Sequence, residues 1–196
     1  FTTVPTAGCN PTAVNFTDAT SIFSGSVASW AWDFGNATVD STQNASTTYI
    51  TVGQYDVQLI TVSNYGCADT LLLVDTVTIY PIPNPTFDLD TFACTAQDVF
   101  FTNTSTGNGL TYSWDFGDGN TSTLLEPVHQ YANEGTFTVC LTVISSDGCD
   151  STLCKTLVIA NPVAAFTSNT QYLPCVGDSI MYIDQSSNAI AWNWSF

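Results

Sequence analysis

The sequence predicts an all-β protein built from tandem immunoglobulin-like β-sandwiches, with about seven strands in each unit. Of its 196 residues 44% are hydrophobic and 13% aromatic, but only 9% are charged. That composition supplies a core without the ion-paired surface typical of helices. Val, Phe, Tyr, Trp and Thr are frequent, and these residue types favour pleated strands. Apolar residues alternate with a period of two, and the pattern recurs after about 80 residues.

The internal repeat predicts the domain organisation. The motif WDFG at residues 32–35 recurs at residues 114–117, and WSF at residues 194–196 is a weaker third copy. We therefore predict one unit over residues 1–81, a second over 82–161, and the N-terminal part of a third over 162–196. Because that third unit stops after its Trp, we expect these residues to belong to a longer chain.

The strands are clearest in the second unit. In chain order, the alternating apolar positions are Phe87 and Leu89, then Val99 and Phe101, then Tyr112, Trp114 and Phe116, then Phe137, Val139, Leu141 and Val143, and finally Leu153, Leu157 and Ile159. Gly-rich turns at residues 106–109, 117–120, 134–135 and 147–148 separate them. Short strands joined by such turns, with no helical periodicity between them, fit a two-sheet sandwich.

The motifs of the second unit also carry a family resemblance. Residues 112–119 (YSWDFGDG), 126–131 (EPVHQY) and 135–143 (GTFTVCLTV) resemble the polycystic kidney disease (PKD) repeat, a β-sandwich module of extracellular proteins. The first unit matches less closely, since it has Asn36 and Thr47 where the second has Asp118 and His129. The placement of cysteines is similar to PKD arrays of large secreted and surface proteins of Bacteroidota. That resemblance implies adhesins or cargo of the type IX secretion system.

Charge and cysteine content exclude several classes of protein. The chain has 17 Asp and Glu but only one Lys or Arg, for a net charge of -16, so it cannot neutralise nucleic-acid phosphates. No run reaches the roughly 18 apolar residues of a spanning helix, so membrane insertion is not expected. Seven Cys without a C-x-x-C pair argue against a zinc site and indicate an oxidising, extracellular setting.

The sequence does not predict an enzyme. His129 is the only histidine, so a triad or a zinc site would depend on one residue. There is no G-x-S-x-G elbow, no H-E-x-x-H motif and no phosphate-binding Gly loop. Cations that could stabilise an oxyanion are almost absent. We expect neither catalysis nor a cofactor, and a hydrogen-bonded structural role for His129.

Asp115 and Asp118 are weak calcium candidates. They lie three residues apart in a Gly-rich turn, where paired carboxylates could hold calcium or act as acid and base. Calcium takes roughly six to eight oxygen ligands, and the sequence has no D-x-D-x-D-G loop. We expect these carboxylates mainly to accept hydrogen bonds from turn amides, with the metal and the acid-base pair as alternatives.

The tryptophans allow two interpretations. Trp30, Trp32, Trp114, Trp192 and Trp194 could form a sugar-stacking platform. However, Trp32, Trp114 and Trp194 share one repeat position, so we expect them in the core between the sheets. Trp30 and Trp192 lie two residues earlier and are expected to pack at the rim.

The cysteines suggest a disulfide framework. Cys9 with Cys67 and Cys94 with Cys149 occupy matching positions in the two whole units, which favours one bridge within each unit. Cys140 and Cys154 lie equally far from the turn at residues 147–148 and should meet across two neighbouring strands. Cys175, in the third unit, would need a Gly-Cys about 55 residues downstream.

Three Asp-Ser/Thr-aliphatic sequences resemble the O-glycosylation acceptor of Bacteroidota. Their acceptor residues are Thr70, Thr76 and Ser179.

Together these observations predict a non-catalytic extracellular array that acts as a stalk, spacer, filament segment or adhesive surface. Its partners would be neighbouring repeats of the same chain, like subunits in a filament, or surface glycans and proteins. The alternative is a carbohydrate- or protein-binding accessory region of a secreted hydrolase.

Overall fold

A computed structural model describes residues 1–161, 163–168, 181–189 and 191–195. Every helix-or-strand element in these residues is a β-strand, which confirms the predicted all-β class. None of the described residues forms a helix long and apolar enough to cross a membrane.

The first repeat contains two sheets. Its strands are β1 (Thr2–Val4), β2 (Ala7–Cys9), β3 (Thr12–Thr17), β4 (Val27–Asp33), β5 (Val39–Asp40), β6 (Ala45–Tyr49), β7 (Gly53–Ser63) and β8 (Ala68–Tyr80). One sheet has the order β1-β3-β6, and the other has the order β2-β8-β7-β4-β5. Strand β7 alternates with a period of two, with Val57 and Leu59 buried and their neighbours more exposed. The core contains Val14, Phe16, Trp32, Phe34, Ala45, Tyr49, Val57, Leu59, Val77 and Ile79.

The second repeat has the same plan. Its strands are β9 (Phe87–Asp88), β10 (Phe92–Cys94), β11 (Asp98–Phe100), β12 (Thr102–Asn103), β13 (Thr111–Asp115), β14 (Thr121–Ser122), β15 (Val128–Gln130), β16 (Gly135–Ile144) and β17 (Asp150–Ala160). The larger sheet has the order β10-β17-β16-β13-β14, while the pairs β11-β15 and β9-β12 replace the three-stranded sheet. Its buried apolar residues include Phe87, Phe101, Trp114, Phe116, Tyr131, Val139, Leu141, Val143, Leu157 and Ile159.

A short parallel strand occurs at the same place in both repeats. Strand β2 runs beside the end of β8, with Cys9 opposite Tyr80. Strand β10 runs beside the end of β17, with Cys94 opposite Ala160. The first cysteine of each repeat therefore lies where the last strand of that repeat ends.

By proximity the chain divides into two compact units whose bounds cross the repeats. Unit 1 contains Phe1–Pro85, Ser105–Thr111 and Thr142–Thr152. Unit 2 contains Thr86–Thr104, Tyr112–Leu141 and Leu153–Phe196. Cys9 and Cys149 thus fall in the same unit.

The third repeat keeps part of the core pattern. Strands β18 (Phe166–Ser168) and β19 (Tyr182–Asp184) pair antiparallel. The Phe166 ring lies 5.7 Å from Trp194, as Phe87 lies 5.0 Å from Trp114 in the second repeat. The expectation that Trp194 is a core residue is wrong, because 40% of it is exposed. The strands that follow Trp114 and help to close its core have no counterpart after Trp194 in the sequence.

Candidate functional site

The WDFGDG turn of the second repeat is held by its two aspartates. Asp115 Oδ1 accepts a hydrogen bond from the Gly117 amide at 2.9 Å. Asp118 Oδ1 accepts one from the Asn120 amide at 3.0 Å, and its Oδ2 accepts one from the Asn120 side chain at 3.0 Å. Both carboxylates therefore bind donors of their own turn, which supports the structural interpretation of this motif.

His129 completes this turn from strand β15. Its Nε2 lies 2.8 Å from Asp118 Oδ2, and only 14% of its side chain is exposed. The imidazole stacks on Phe116 at 4.2 Å and meets the edge of Tyr131 at 4.7 Å. These contacts give the single histidine a positioning role between the turn and the core.

The electrostatics of Asp118 follow from the same contacts. Partial burial alone would raise the pKa of the Asp118 carboxyl, but the hydrogen bonds from His129 and Asn120 outweigh that effect. The net result is a pKa below the ordinary value of an aspartate. Asp118 is therefore a stabilised carboxylate, which is the opposite of what a general acid near neutral pH requires.

In each repeat a buried tyrosine forms a hydrogen bond to the backbone of the WDFG motif. The sequence analysis assigned no role to this tyrosine. Tyr131 donates its hydroxyl hydrogen bond to the Phe116 carbonyl at 3.0 Å, and Tyr49 donates to the Phe34 carbonyl at 2.9 Å. Burial raises the pKa of both phenols, so both stay protonated as donors. The signal was present, since Tyr49 and Tyr131 have the same spacing as Trp32 and Trp114.

The first repeat builds the same turn with different side chains. Asn36 replaces Asp118, and its Nδ2 donates to Thr47 Oγ1 at 3.2 Å, where the second repeat uses His129. Ala37 has a φ of 65°, matching Gly119 at 93°. One uncharged pair thus substitutes for the aspartate and histidine.

The candidate metal site stays a prediction. Among the described residues there is no cluster of three or more His, Cys, Asp or Glu side chains that could hold a metal ion. Asp115 and Asp118 are occupied by the amide donors described above.

The tryptophans divide as the repeat positions predict, with Trp194 as the exception. Trp32 and Trp114 are 1% and 0% exposed, and their indole N–H groups donate to the carbonyls of Thr42 and Leu124. Trp30 packs against the first core and donates to Asp18 Oδ2 at 2.9 Å. The buried rings of Trp32 and Trp114 are therefore inaccessible to a sugar ligand. Trp192 and Trp194 line an open cleft of about 720 Å³ beside Phe166 and Tyr182.

The disulfides agree with the expected pairing in one case. Cys140 and Cys154 are bonded across the adjacent strands β16 and β17, with Cα atoms 4.1 Å apart. The bridges expected within each repeat, Cys9–Cys67 and Cys94–Cys149, are absent from the described residues. Instead Cys9 is bonded to Cys149, with Cα atoms 5.6 Å apart, while Cys67 and Cys94 are free thiols.

The lengths of the last strands explain this correction. We call Cys9 and Cys94 the start cysteines and Cys67 and Cys149 the turn cysteines. Each start cysteine lies at the end of the last strand of its repeat, whereas each turn cysteine directly precedes that strand. Strands of 13 and 11 residues separate the two by about 43 and about 36 Å, at a rise of about 3.3 Å per residue. A disulfide requires Cα atoms within about 7 Å, so neither repeat can close its own bridge.

The three glycosylation candidates differ in access. Thr70 is exposed on β8. Thr76 is half-buried, and its hydroxyl donates to the Leu73 carbonyl at 2.9 Å. Ser179 and Cys175 lie outside the described residues. Modification at these positions stays a prediction.

A comparison with protein families identifies the repeats. The model of the PKD domain matches residues 2–79 and again residues 81–161. The chain belongs to the PKD domain family. Each of the two matched ranges contains one WDFG turn, one buried tyrosine and one sandwich core described above.

Two bacterial proteins are among the relatives that the chain resembles. The chain is 38% identical over 82 residues to a microbial collagenase of Vibrio alginolyticus, which covers 40% of this chain and 10% of that protein. It is 31% identical over 111 residues to the pre-pro-metalloprotease PrtV of Vibrio cholerae, covering 57% of this chain and 12% of that one. It therefore spans about a tenth of the length of these relatives.

The crystal structure of the PKD1 domain of PrtV is 34% identical and covers 41% of this chain and 99% of that domain, with a TM-score of 0.37. These relatives are Vibrio proteins, so the resemblance to Bacteroidota arrays stays a prediction.

Proposed function

We propose that this chain is a non-catalytic, extracellular segment of a PKD array that serves as a stalk, spacer or adhesive surface of a larger protein. The observation that carries the proposal is how the polar side chains of the repeated motif are used, which is clearest in the second repeat. Asp115 and Asp118 bind amides of their own turn, and His129 and Tyr131 bind that turn and the Phe116 carbonyl from the neighbouring segment of the same repeat. The carboxylates, the imidazole and the phenol of this motif therefore stabilise the sandwich.

An extracellular setting is supported by two features. The described residues contain two disulfides, which persist in oxidising compartments. The net charge of -16 keeps such chains dispersed in water. Export by type IX secretion, glycosylation at Thr70 or Thr76, and assembly into filaments belong to the same proposal.

A stalk makes a definite prediction about size. If the array is a spacer, each added repeat should lengthen the particle by about 36 to 43 Å, the length of its longest strands at about 3.3 Å per residue. Small-angle X-ray scattering on chains with two and three complete repeats would measure this increment. An unchanged maximum dimension would contradict the spacer function.

The second candidate function is an accessory region of a secreted hydrolase. It is favoured by the names of the relatives, which are a collagenase and a metalloprotease. In that case the repeats should bind a polymeric substrate such as collagen or a polysaccharide. Saturable co-sedimentation with collagen fibrils or insoluble glycans would support this function, with a Trp192→Ala, Trp194→Ala double variant testing the exposed indoles. If the chain binds neither collagen nor glycans, and each added repeat lengthens the particle as expected, the spacer function would be supported instead.

A further inference from the structure

The cysteines that the structure leaves free occupy positions that are bonded in the other repeat. Cys149 is bonded in the second repeat, and its equivalent in the first repeat, Cys67, is a free and exposed thiol. Cys9 is bonded in the first repeat, and its equivalent in the second repeat, Cys94, is a free and half-buried thiol. Each free thiol therefore has an equivalent cysteine in the other repeat that is disulfide-bonded.

The turn cysteines are held in the same geometry whether bonded or free. In the first repeat the Ser63 amide donates to the Cys67 carbonyl at 2.8 Å, and the Cys67 amide lies 3.1 Å from Ser63 Oγ. In the second repeat the corresponding distances from Ser145 to Cys149 are 2.8 and 3.2 Å. The preceding glycines have φ values of 81° and 83°. Cys67 is thus presented by the same turn that presents Cys149.

The start cysteines match equally well. Residues 7–9 pair in parallel with residues 78–80, and residues 92–94 pair in parallel with residues 158–160. In both repeats the cysteine is the last residue of the short strand and lies opposite the last residue of the long one. The backbone that positions Cys9 for its bond is therefore also present at Cys94.

From this equivalence we propose that the start cysteine of each PKD repeat forms a disulfide with the turn cysteine of the repeat that follows it. Cys9–Cys149 is one such bond. In a longer array, Cys94 would bond to the turn cysteine of a following repeat, and Cys67 would bond to the start cysteine of a preceding repeat. The rule depends on the equivalence of the two repeats and not on the proposed function.

The chemistry of the step is ordinary thiol oxidation. The two sulfur atoms join, and both thiol protons and two electrons leave. The electrons reduce a disulfide oxidant, such as oxidised glutathione, to two thiols. The product cross-links consecutive repeats covalently, in addition to the peptide linker between them.

A chain with one more complete repeat tests the rule. Residues 1–160 are followed directly by a second copy of residues 81–161, which keeps the native linker and appends a repeat that encloses its own core. After refolding with reduced and oxidised glutathione, free thiols are alkylated and counted by intact mass. The proposal predicts two free thiols, on Cys67 and on the Cys94 of the appended copy. Four free thiols would mean that no new bond forms, and none would mean that each repeat closes its own bridge.

Two matched variants show which copy of Cys94 is bonded. Cys94→Ser in the original repeat should raise the number of free thiols from two to three, because the turn cysteine of the appended copy loses its partner. Cys94→Ser in the appended copy should lower it to one. Equal counts in the two variants would overturn the proposal. Peptide mapping of the unreduced chain with an isotopically labelled appended repeat, joined by intein ligation, would identify the bonded peptides directly.

Discussion

At the residue scale, the contacts of Asp118 show how a charged side chain stabilises the turn of the second repeat. Asp118 receives three hydrogen bonds or close polar contacts, from the Asn120 amide, the Asn120 side chain and His129. Each favours the ionised carboxylate, and together they hold its pKa below the ordinary value despite partial burial. The first repeat reaches the same turn with the uncharged Asn36 and Thr47 at the positions of Asp118 and His129. The turn geometry is therefore the shared feature, and the charge is an addition in the second repeat.

Asp118→Asn should destabilise the second repeat at neutral pH and have little effect in acid. The folded-state pKa of Asp118 is lowered, so its contribution to stability is complete above the unfolded-state pKa of about 4 and is lost as the pH falls through the folded-state value. We expect a loss of about 1 kcal/mol at pH 7, which shrinks toward zero as the pH falls through the lowered folded-state pKa. Hydrogen exchange of the amides at residues 114–120 would measure it for this repeat alone.

Asp147→Asn is the matched control for that experiment. Asp147 lies in an exposed turn, so this variant removes one negative charge without disturbing the Asp118 contacts. Its effect should be near zero at both pH values. A pH-independent loss in Asp118→Asn would show that the carboxylate charge contributes nothing.

At the scale of elements, the turn glycines should differ sharply in how they tolerate alanine. A Cβ on Gly117, with φ of 79°, would lie 2.6 Å from the Thr138 carbonyl oxygen of the neighbouring strand. A Cβ on Gly119, with φ of 93°, would meet nothing within 4 Å. Gly119→Ala should therefore cost only about 1 kcal/mol of backbone strain, whereas Gly117→Ala should cost about 3 kcal/mol or more. Urea denaturation compares them, and equal losses would contradict the steric argument.

Strand β17 should protect the single tryptic site. Lys155 lies inside β17 next to Cys154, which is bonded to Cys140. Its ammonium group donates to the Phe87 carbonyl and lies 5.0 Å from the centre of the Phe87 ring and 3.7 Å from Asp88. A protease must draw the backbone out of the sheet, so the native, oxidised chain should resist trypsin. Reduction and denaturation should allow one cut after residue 155. Rapid cleavage of the native chain would contradict this strand assignment.

The elements also show what the sequence could and could not predict. Period-two alternation located β13, β16 and β17, because each is long enough for several residues to face the core. The three-residue strands β2 and β10 are too short for a period to be recognised, and their parallel partners lie far along the chain. Without those pairings the start cysteines could not be placed at the ends of β8 and β17. The wrong disulfide prediction follows from that gap.

At the scale of the whole molecule, charge and exposed apolar surface act against each other. The net charge of -16 repels like chains, and the Debye length shrinks from about 30 Å at 0.01 M salt to about 8 Å at 0.15 M. Phe166, Met181, Trp192 and Trp194 are each at least 40% exposed in the third repeat. These side chains supply apolar contact area once the repulsion is screened. Association of the chain should therefore be controlled by ionic strength.

Sedimentation velocity should detect monomers at 10 mM sodium chloride and larger species at 500 mM. A Trp192→Ser, Trp194→Ser double variant should stay monomeric in both, since it removes the exposed indoles without changing the charge. Calcium chloride at matched ionic strength separates screening from a metal site. If it promotes association no more than sodium chloride does, screening accounts for the effect. If calcium chloride promotes more association than sodium chloride, the Asp118→Asn variant shows where calcium binds. Loss of the additional association in this variant would place calcium at the turn of residues 115–118. Additional association that survives the substitution would place calcium elsewhere on the acidic surface.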